Sequence, residues 1–217
     1  MRHICITAIA LVAAVSLAAQ APKGWKLRAD ESKEASDPDG PGNIKLVSMG
    51  TGFHATNPQA AVFWNPANTA SGNYTLKGTF ILQKPSSHNN YYGLVFGGSA
   101  LEGGQQKYGY FVVSQNGTWL IKTRDGEATA NVAPKTPSDA IRKPDAGGKS
   151  TNALEVRVAA DKTEFVVNGT VVFSAPKSAG VNVPFASPIC AKINPTSPRG
   201  IIATPTIAFR IGSQKGA

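Results

Sequence analysis

The sequence predicts an all-β fold in which two antiparallel sheets pack as a sandwich. Three observations predict it: apolar and polar residues alternate in several segments, two Asn-Gly pairs separate β-rich runs, and no segment keeps a helical period. The 22 glycines and 15 prolines are dispersed along the chain, as is typical of many short strands joined by turns.

The start of the chain has the layout of a secretory signal peptide. A basic start precedes an apolar run from Ile4 to Ala19, and small residues close the segment. The run is shorter than the ~20 apolar residues that a membrane-spanning helix needs. We therefore predict a signal peptide at residues 1–21 (cleavage after Ala18 is the alternative) and a single β-sandwich domain at residues 22–217. With no transmembrane segment after signal removal, the predicted location is periplasmic or secreted.

Removal of the signal changes what the composition implies. It takes away Cys5 and leaves Cys190, so the mature domain cannot form an intrachain disulfide. It also takes away Arg2, so the formal net charge falls from +9 to +8. The remaining basic residues are scattered singly, which favours a solvated basic surface and argues against a nucleic-acid partner, while an anionic glycan stays an open alternative.

Three segments alternate with a period of two residues, namely residues 73–83, 152–159 and 206–211. Because successive side chains of a strand point to opposite faces, each segment is predicted to be a strand with one buried face. The predicted buried positions are Tyr74, Leu76, Gly78, Phe80, Leu82, Leu154, Val156, Val158, Ile207, Phe209 and Ile211.

Two β-hairpins are predicted from Asn-Gly pairs. Residues 108–124 contain Asn116-Gly117, and residues 163–173 contain Asn168-Gly169. Asn-Gly supplies the two positive φ angles of a tight type I′ turn, so each pair is expected to occupy a two-residue loop.

The first hairpin suggests a binding surface. A two-residue loop places Ser114 opposite Trp119 and Tyr110 opposite Thr123. Two arrangements stay open: the Tyr/Trp face points to solvent and stacks on sugar rings, or it points into the core. That face would carry Tyr108, Tyr110, Val112, Ser114, Trp119, Ile121 and Thr123, and the other face Phe111, Val113, Leu120, Lys122 and Arg124.

Five segments in this order resemble the concanavalin A-like jelly rolls of exported bacterial proteins, including the laminin-G-like and 3-keto-disaccharide hydrolase-like groups. The segments are residues 90–98, 108–113, 117–122, 152–157 and 165–170. The resemblance spans roughly residues 51–211 and implies a jelly-roll sandwich. Its functional implication is broad, because such domains include carbohydrate binders, glycosidases and proteins without known activity.

Sequence motifs for catalysis are absent. Jelly-roll glucanases carry two catalytic glutamates in a Glu-x-Asp-x-x-Glu pattern, and this chain has no such string. The closest acidic pair, Asp125 and Glu127, flanks a turn. There is also no Gly-x-Ser-x-Gly elbow and no phosphate loop. An enzymatic role therefore stays undecided, and the sequence leans against one.

Calcium is the one metal that the sequence suggests. Asp37 and Asp39 lie in an Asp-Pro-Asp-Gly segment whose oxygen atoms suit a hard cation, and laminin-G-like domains often hold calcium. The alternative is an ordinary N-terminal turn. No other cofactor is predicted.

The function predicted first is an exported, lectin-like module that binds a glycan or polysaccharide. The alternatives are a hydrolase or lyase acting on a keto-disaccharide, and a structural or adhesive surface protein. Loop Asn and His side chains and aromatic rings are common ligand contacts, so we expect them to border the site. The candidate ligand-binding residues are Tyr108, Tyr110, Trp119, Thr123, Arg124, His54, Trp64, Asn89 and Tyr91.

Overall fold

A computed structural model describes residues 22–30, 43–56, 58–70, 72–176, 190–193 and 201–208, the last two as backbone only. The predicted signal peptide and the candidate calcium ligands Asp37 and Asp39 lie outside the described residues. Within these ranges, no helix is long and apolar enough to cross a membrane.

The described residues form fourteen β-strands. They are β1 (Lys26–Ala29), β2 (Lys45–Met49), β3 (Gly52–Thr56), β4 (Ala61–Trp64), β5 (Tyr74–Leu82), β6 (Tyr91–Ser99), β7 (Lys107–Ser114), β8 (Thr118–Asp125), β9 (Ala128–Pro137), β10 (Ser150–Val158), β11 (Lys162–Val167), β12 (Thr170–Pro176), β13 (Cys190–Ile193) and β14 (Ile201–Ala208).

These strands build two antiparallel sheets of seven strands each. The first sheet has the order β1-β4-β13-β6-β7-β8-β9, and the second has the order β12-β11-β10-β5-β14-β3-β2. Strands distant in sequence become neighbours, since β13 lies between β4 and β6 and β14 lies between β5 and β3. The predicted all-β sandwich of two antiparallel sheets is confirmed.

Alternation along the strands places the core between the two sheets. In β5 and β10 the predicted inward side chains, such as Leu76, Phe80, Leu154 and Val156, are at most 1% exposed. Each is separated from the next by a side chain that reaches the surface. The third predicted strand, residues 206–211, overlaps the end of β14 at residues 206–208, and Phe209 and Ile211 fall outside the described residues.

The second hairpin has the predicted turn. Asn168 and Gly169 have φ angles of 48° and 88°, and Val167 pairs with Thr170 across them. The Asn168 side chain also accepts from the backbone N–H of Ala153 at 2.9 Å and donates to the carbonyl of Ala140 at 2.8 Å. These bonds tie the turn to neighbouring segments and help a non-glycine residue to keep a positive φ.

The predicted register of the first hairpin is wrong by one residue. Its loop has three residues rather than two, because Gly117 N–H donates to the Ser114 carbonyl at 3.0 Å and only Gly117 has a positive φ, 85°. This is a type I turn followed by a left-handed glycine. Trp119 therefore pairs with Val113 rather than with Ser114. A one-residue slip moves every side chain of one strand to the other face of the sheet.

Candidate functional site

The first sheet buries side chains on both of its faces. Its inner face packs against the second sheet, whereas its outer face carries an apolar cluster of its own. An ordinary solvent-facing sheet surface would alternate buried and polar residues. The outer cluster consists of Val62, Trp64, Val95, Leu101, Tyr108, Tyr110 and Val112, with Tyr91 and Leu120 partly buried against it.

Strand register aligns several of these residues in one row across the outer face. The pairing runs from Lys26 to Trp64, through the β13 backbone to Val95, and on to Tyr110, Lys122 and Asn131. Neighbouring strands lie about 4.8 Å apart, so the row from β4 to β8 spans about 19 Å. The outer face thus offers an elongated surface with aromatic and basic side chains at one level.

A buried charge cluster lies at the start of this face. The Asp30 carboxylate, with a side chain only 3% exposed, lies 2.7 Å from Arg124 Nη1 and 3.8 Å from Arg28 Nη2. The Tyr108 hydroxyl donates a hydrogen bond to its other oxygen at 3.0 Å. A carboxylate can be removed from water at this site because two guanidinium groups and a hydroxyl compensate its charge.

The cluster changes the acidity of the neighbouring tyrosines. Burial, followed by the negative charge of Asp30, raises the pKa of Tyr108 far above its usual value of 10. The same two causes raise the pKa of Tyr110 to about 12, with Arg124 opposing them. Both hydroxyls therefore stay protonated at pH values at which an ordinary tyrosine ionises.

The loop after β6 covers part of the outer face. Arg28 Nη1 donates to the Gly103 carbonyl at 3.3 Å, Lys26 forms an ion pair with Glu102, and Leu101 joins the outer apolar cluster. Ala100 has a φ of 49°, an unusual value for a residue with a side chain. These contacts join the loop to β1 and to the buried charge cluster.

An open groove of about 430 Å³ lies between this loop and the end of β4. Its volume is in the range of small-ligand sites. Trp64 and Leu101 supply apolar surface, while Glu102, Gln105 and the loop backbone supply polar groups. The groove is lined by Trp64, Pro66, Gly98, Ser99, Ala100, Leu101, Glu102, Gly103, Gly104 and Gln105.

The opposite part of the outer face is more open. Lys135 Nζ lies 5.9 Å from the centroid of the Tyr91 ring, within cation–π range. The Tyr91 hydroxyl lies 3.4 Å from Thr118 Oγ1. Lys122, between Tyr110 and Asn131, forms no ion pair with any described residue.

The structure brings together a subset of the predicted ligand-binding residues. Trp64, Tyr91, Tyr108 and Tyr110 belong to the outer cluster, and Arg124 anchors the adjacent carboxylate. Trp64, Tyr108 and Tyr110 are only 3–7% exposed, so they form a floor rather than a free stacking platform. Their role in ligand binding stays a prediction.

The predicted common face of Trp119 with the tyrosines is wrong. Trp119 belongs to the inner core, where its ring centroid lies 6.4 Å from that of Phe111 and 5.9 Å from that of Phe173. Thr123 has the same inward alternation, since it pairs with Gly109. Leu120, predicted for the Phe/Val face, lies instead with the tyrosines. The three-residue loop accounts for each of these exchanges.

The other predicted contacts lie elsewhere. His54 lies in β3 of the second sheet, between inward-facing Phe53 and Ala55, so it points away from the sandwich on the opposite side. Asn89 is exposed in the loop before β6, next to the half-buried His88. This loop is held by Gln115, whose side-chain N–H donates to the His88 carbonyl at 3.1 Å.

Sequence reasoning missed Arg28, Asp30 and the loop after β6. Asp30 lies 78 positions before Tyr108 in the chain, so no local pattern connects the two. The sequence signal in the loop is the Gly103-Gly104 pair, which indicates no more than the end of a strand. In the described ranges, no group of three or more His, Cys, Asp or Glu residues could hold a metal ion.

Comparison of the sequence with protein-family models gives no match, and comparison with curated proteins gives none either. Solved structures do match. The exoplasmic/lumenal domain of VIP36, in its Ca²⁺/Man3GlcNAc-bound form, matches with a TM-score of 0.57 and 8% identity, covering 89% of this chain and 86% of that chain.

Two further matches come from bacteria. The carbohydrate-binding module CBM66 from Bacillus subtilis has a TM-score of 0.54 and 12% identity, covering 84% of this chain and 91% of that chain. The GH16 protein of the Bacteroides ovatus mixed linkage glucan PUL, in complex with a G4G4G3G product, has a TM-score of 0.54 and 6% identity, covering 88% and 97%. At these identities the likeness establishes the fold, a concanavalin A-like jelly roll.

Proposed function

We propose that the protein is an exported carbohydrate-binding module that takes its glycan on the outer face of the first sheet. The observation that carries this proposal is the groove of about 430 Å³ between Trp64 and the loop after β6. It combines apolar surface from Trp64 and Leu101 with polar rim groups, the combination that recognises the apolar faces and the hydroxyls of a sugar.

Three features of the chain support the proposal. The outer face of the first sheet carries a second apolar cluster and a buried ion-pair network, neither of which is typical of a solvent-facing sheet. The solved structures with the same fold include a carbohydrate-binding module and two proteins with bound saccharides. The export part of the proposal rests on the signal-peptide pattern of residues 1–21 and on the laminin-G-like and 3-keto-disaccharide hydrolase-like resemblance.

The test is a glycan array probed with the purified protein and with two variants that fill the groove. Gly103→Trp and Gly104→Trp suit this purpose, because both positions line the groove and a Cβ atom there meets nothing within 4 Å. We expect selective binding by the wild-type protein and its loss in both variants. Thr75→Trp, on the outer side of β5 in the second sheet, is the matched control and should bind normally.

Two results would contradict the proposal: the absence of selective binding to any glycan, or undiminished binding by both groove variants. Running the array with calcium and with a chelator also tests the prediction at Asp37 and Asp39, since calcium-dependent binding would be lost only with the chelator. Mass spectrometry of exported protein tests the signal peptide, with residues 1–21 expected to be absent.

A further inference from the structure

We propose that the glycan is an acidic polysaccharide and that Lys122 and Lys135 bind its carboxylate or sulfate groups. This inference rests on the proposed function and adds the chemical class of the ligand. It concerns the open part of the outer face, beyond the groove and the buried charge cluster.

The position of Lys122 is the first observation. Lys122 lies on β8 in the same row as Trp64, with Tyr110 on one side and Asn131 on the other. It is half-buried and forms no ion pair with any described residue. A lysine held against a sheet without a carboxylate partner is a ready site for an external anion.

Lys135 supplies a second cation on the same face. Its Nζ atom lies over the Tyr91 ring, 5.9 Å from the centroid, and the side chain is exposed. A cation–π contact orients the ammonium group without neutralising its charge. Nearby hydroxyl and amide groups of Thr118 and Asn131 suit the hydroxyls of a sugar unit.

Basic residues of the second sheet have a different arrangement. On its outer side, Lys77 and Arg157 each pair with Glu155, at 3.0 and 2.9 Å, and Lys162 pairs with Glu164 at 2.6 Å. These three cations are therefore compensated by carboxylates on the same surface, whereas Lys122 and Lys135 have no carboxylate partner among the described residues.

The distribution of these cations favours a polysaccharide over a nucleic acid. Lys122 and Lys135 are two single charges on the neighbouring strands β8 and β9, and they do not form the dense basic track that follows a phosphate backbone. A sugar chain crossing the strands along the row of about 19 Å would meet the groove and Lys122 together.

The experiment measures binding of the full-length exported protein to polygalacturonate (carboxylate), to dextran sulfate (sulfate), and to two neutral polysaccharides, a mixed-linkage β-glucan and levan. The test variant is Lys122→Gln with Lys135→Gln. The control is Lys84→Gln with Lys149→Gln, which removes the same charge from two exposed lysines near the turn at Gly148. Circular dichroism and the unfolding temperature confirm that both variants fold.

We expect the wild-type protein to bind at least one acidic polysaccharide more tightly than the neutral ones. The Kd of the test variant for it should rise roughly tenfold, and that of the control by less than about twofold. Raising ionic strength from about 0.05 to 0.5 M should weaken wild-type binding and affect the test variant less.

Other outcomes separate the two proposals. Equal losses in the test and control variants would overturn the assignment of Lys122 and Lys135. Binding of neutral glycans alone, unchanged in the test variant, would overturn the acidic class and leave the proposed function intact. A DNA oligonucleotide is measured alongside the four polysaccharides. Tighter binding to it than to any polysaccharide, or binding to no polysaccharide, would overturn both.

Discussion

The outer faces of the two sheets differ in whether their ion pairs are buried. On the second sheet, Lys77, Glu155 and Arg157 form ion pairs on a surface that reaches solvent. On the first sheet, Asp30 is buried beneath Arg28 and Arg124 and accepts the Tyr108 hydroxyl. Surface pairs contribute little to stability, whereas a broken buried pair is costly. Among the described residues, the buried cluster around Asp30 is therefore expected to contribute more to stability than the surface pairs around Glu155.

The largest expected effect is on the buried carboxylate. Asp30→Ala leaves two guanidinium groups without their shared anion and the Tyr108 hydroxyl without its acceptor. We expect the free energy of unfolding to fall by about 3–5 kcal/mol. Urea unfolding followed by tryptophan fluorescence measures it.

The matched variant on the other face is Glu155→Ala, which removes the partner of Lys77 and Arg157. It should cost no more than about 1 kcal/mol, because those side chains remain accessible to water. Similar losses from Asp30→Ala and Glu155→Ala would mean that the two faces do not differ in this way.

The two Asn-Gly hairpins offer a second comparison with a smaller effect. Asn168→Ala removes a residue that tolerates a positive φ and three side-chain hydrogen bonds, so we expect a loss of about 2–3 kcal/mol. Asn116→Ala removes only bonds to the neighbouring Thr118, so its cost should stay below about 1 kcal/mol. Thermal unfolding of both variants provides the measurement, and equal shifts would contradict the assigned turn types.

These hairpins also show how far the sequence predicts the structure. An Asn-Gly pair indicates a turn in both cases, and alternation in β5 and β10 indicates which side chains are buried. The pair does not determine whether the loop has two residues or three. Asn168 is held in its positive φ by Ala140 and Ala153, contacts that no local pattern reveals. That single residue of register decides which face carries the aromatic side chains.

The candidate site is harder to predict than the strands because it depends on contacts between parts of the chain that are distant in sequence. Tyr108 and Tyr110 are predicted ligand contacts because the aromatic residues of a hairpin face can stack on sugars, and Trp64 because it lies in a Pro/Asn-rich stretch. Their shared surface depends on β13 lying between β4 and β6, a neighbour relation between distant parts of the chain. Asp30 and Arg28 carry no signal of their own, since a single acid or arginine near the start of a chain is usually solvated.

A third prediction uses the tyrosine beside the charge cluster. The pKa of Tyr110 is raised to about 12 in the folded protein from an ordinary value of 10. The folded state therefore keeps the proton after the unfolded state has lost it. The resulting stabilisation is present below pH 10 and is lost as the pH rises from 10 towards 12.

Tyr110→Phe removes this contribution. Between pH 8 and pH 11 the wild-type protein should lose about 1 kcal/mol more stability than the variant. Urea unfolding at both pH values measures the difference. If the wild-type protein and the variant lost the same free energy of unfolding, Tyr110 would titrate normally and would not lie in the buried environment of the outer face.

The smallest effect is expected at the groove itself. Gly103 has no positive φ, and a Cβ atom there meets nothing within 4 Å, so the fold does not require glycine at this position. Gly103→Ala restricts the unfolded chain and should raise the free energy of unfolding by about 0.4–1 kcal/mol. A gain in stability together with weaker glycan binding would mean that the groove keeps its glycine for the ligand rather than for the fold. A loss of stability would instead assign Gly103 a structural role. The charge cluster of Arg28 and Asp30, and not the loop, would then be the feature that distinguishes the two outer faces.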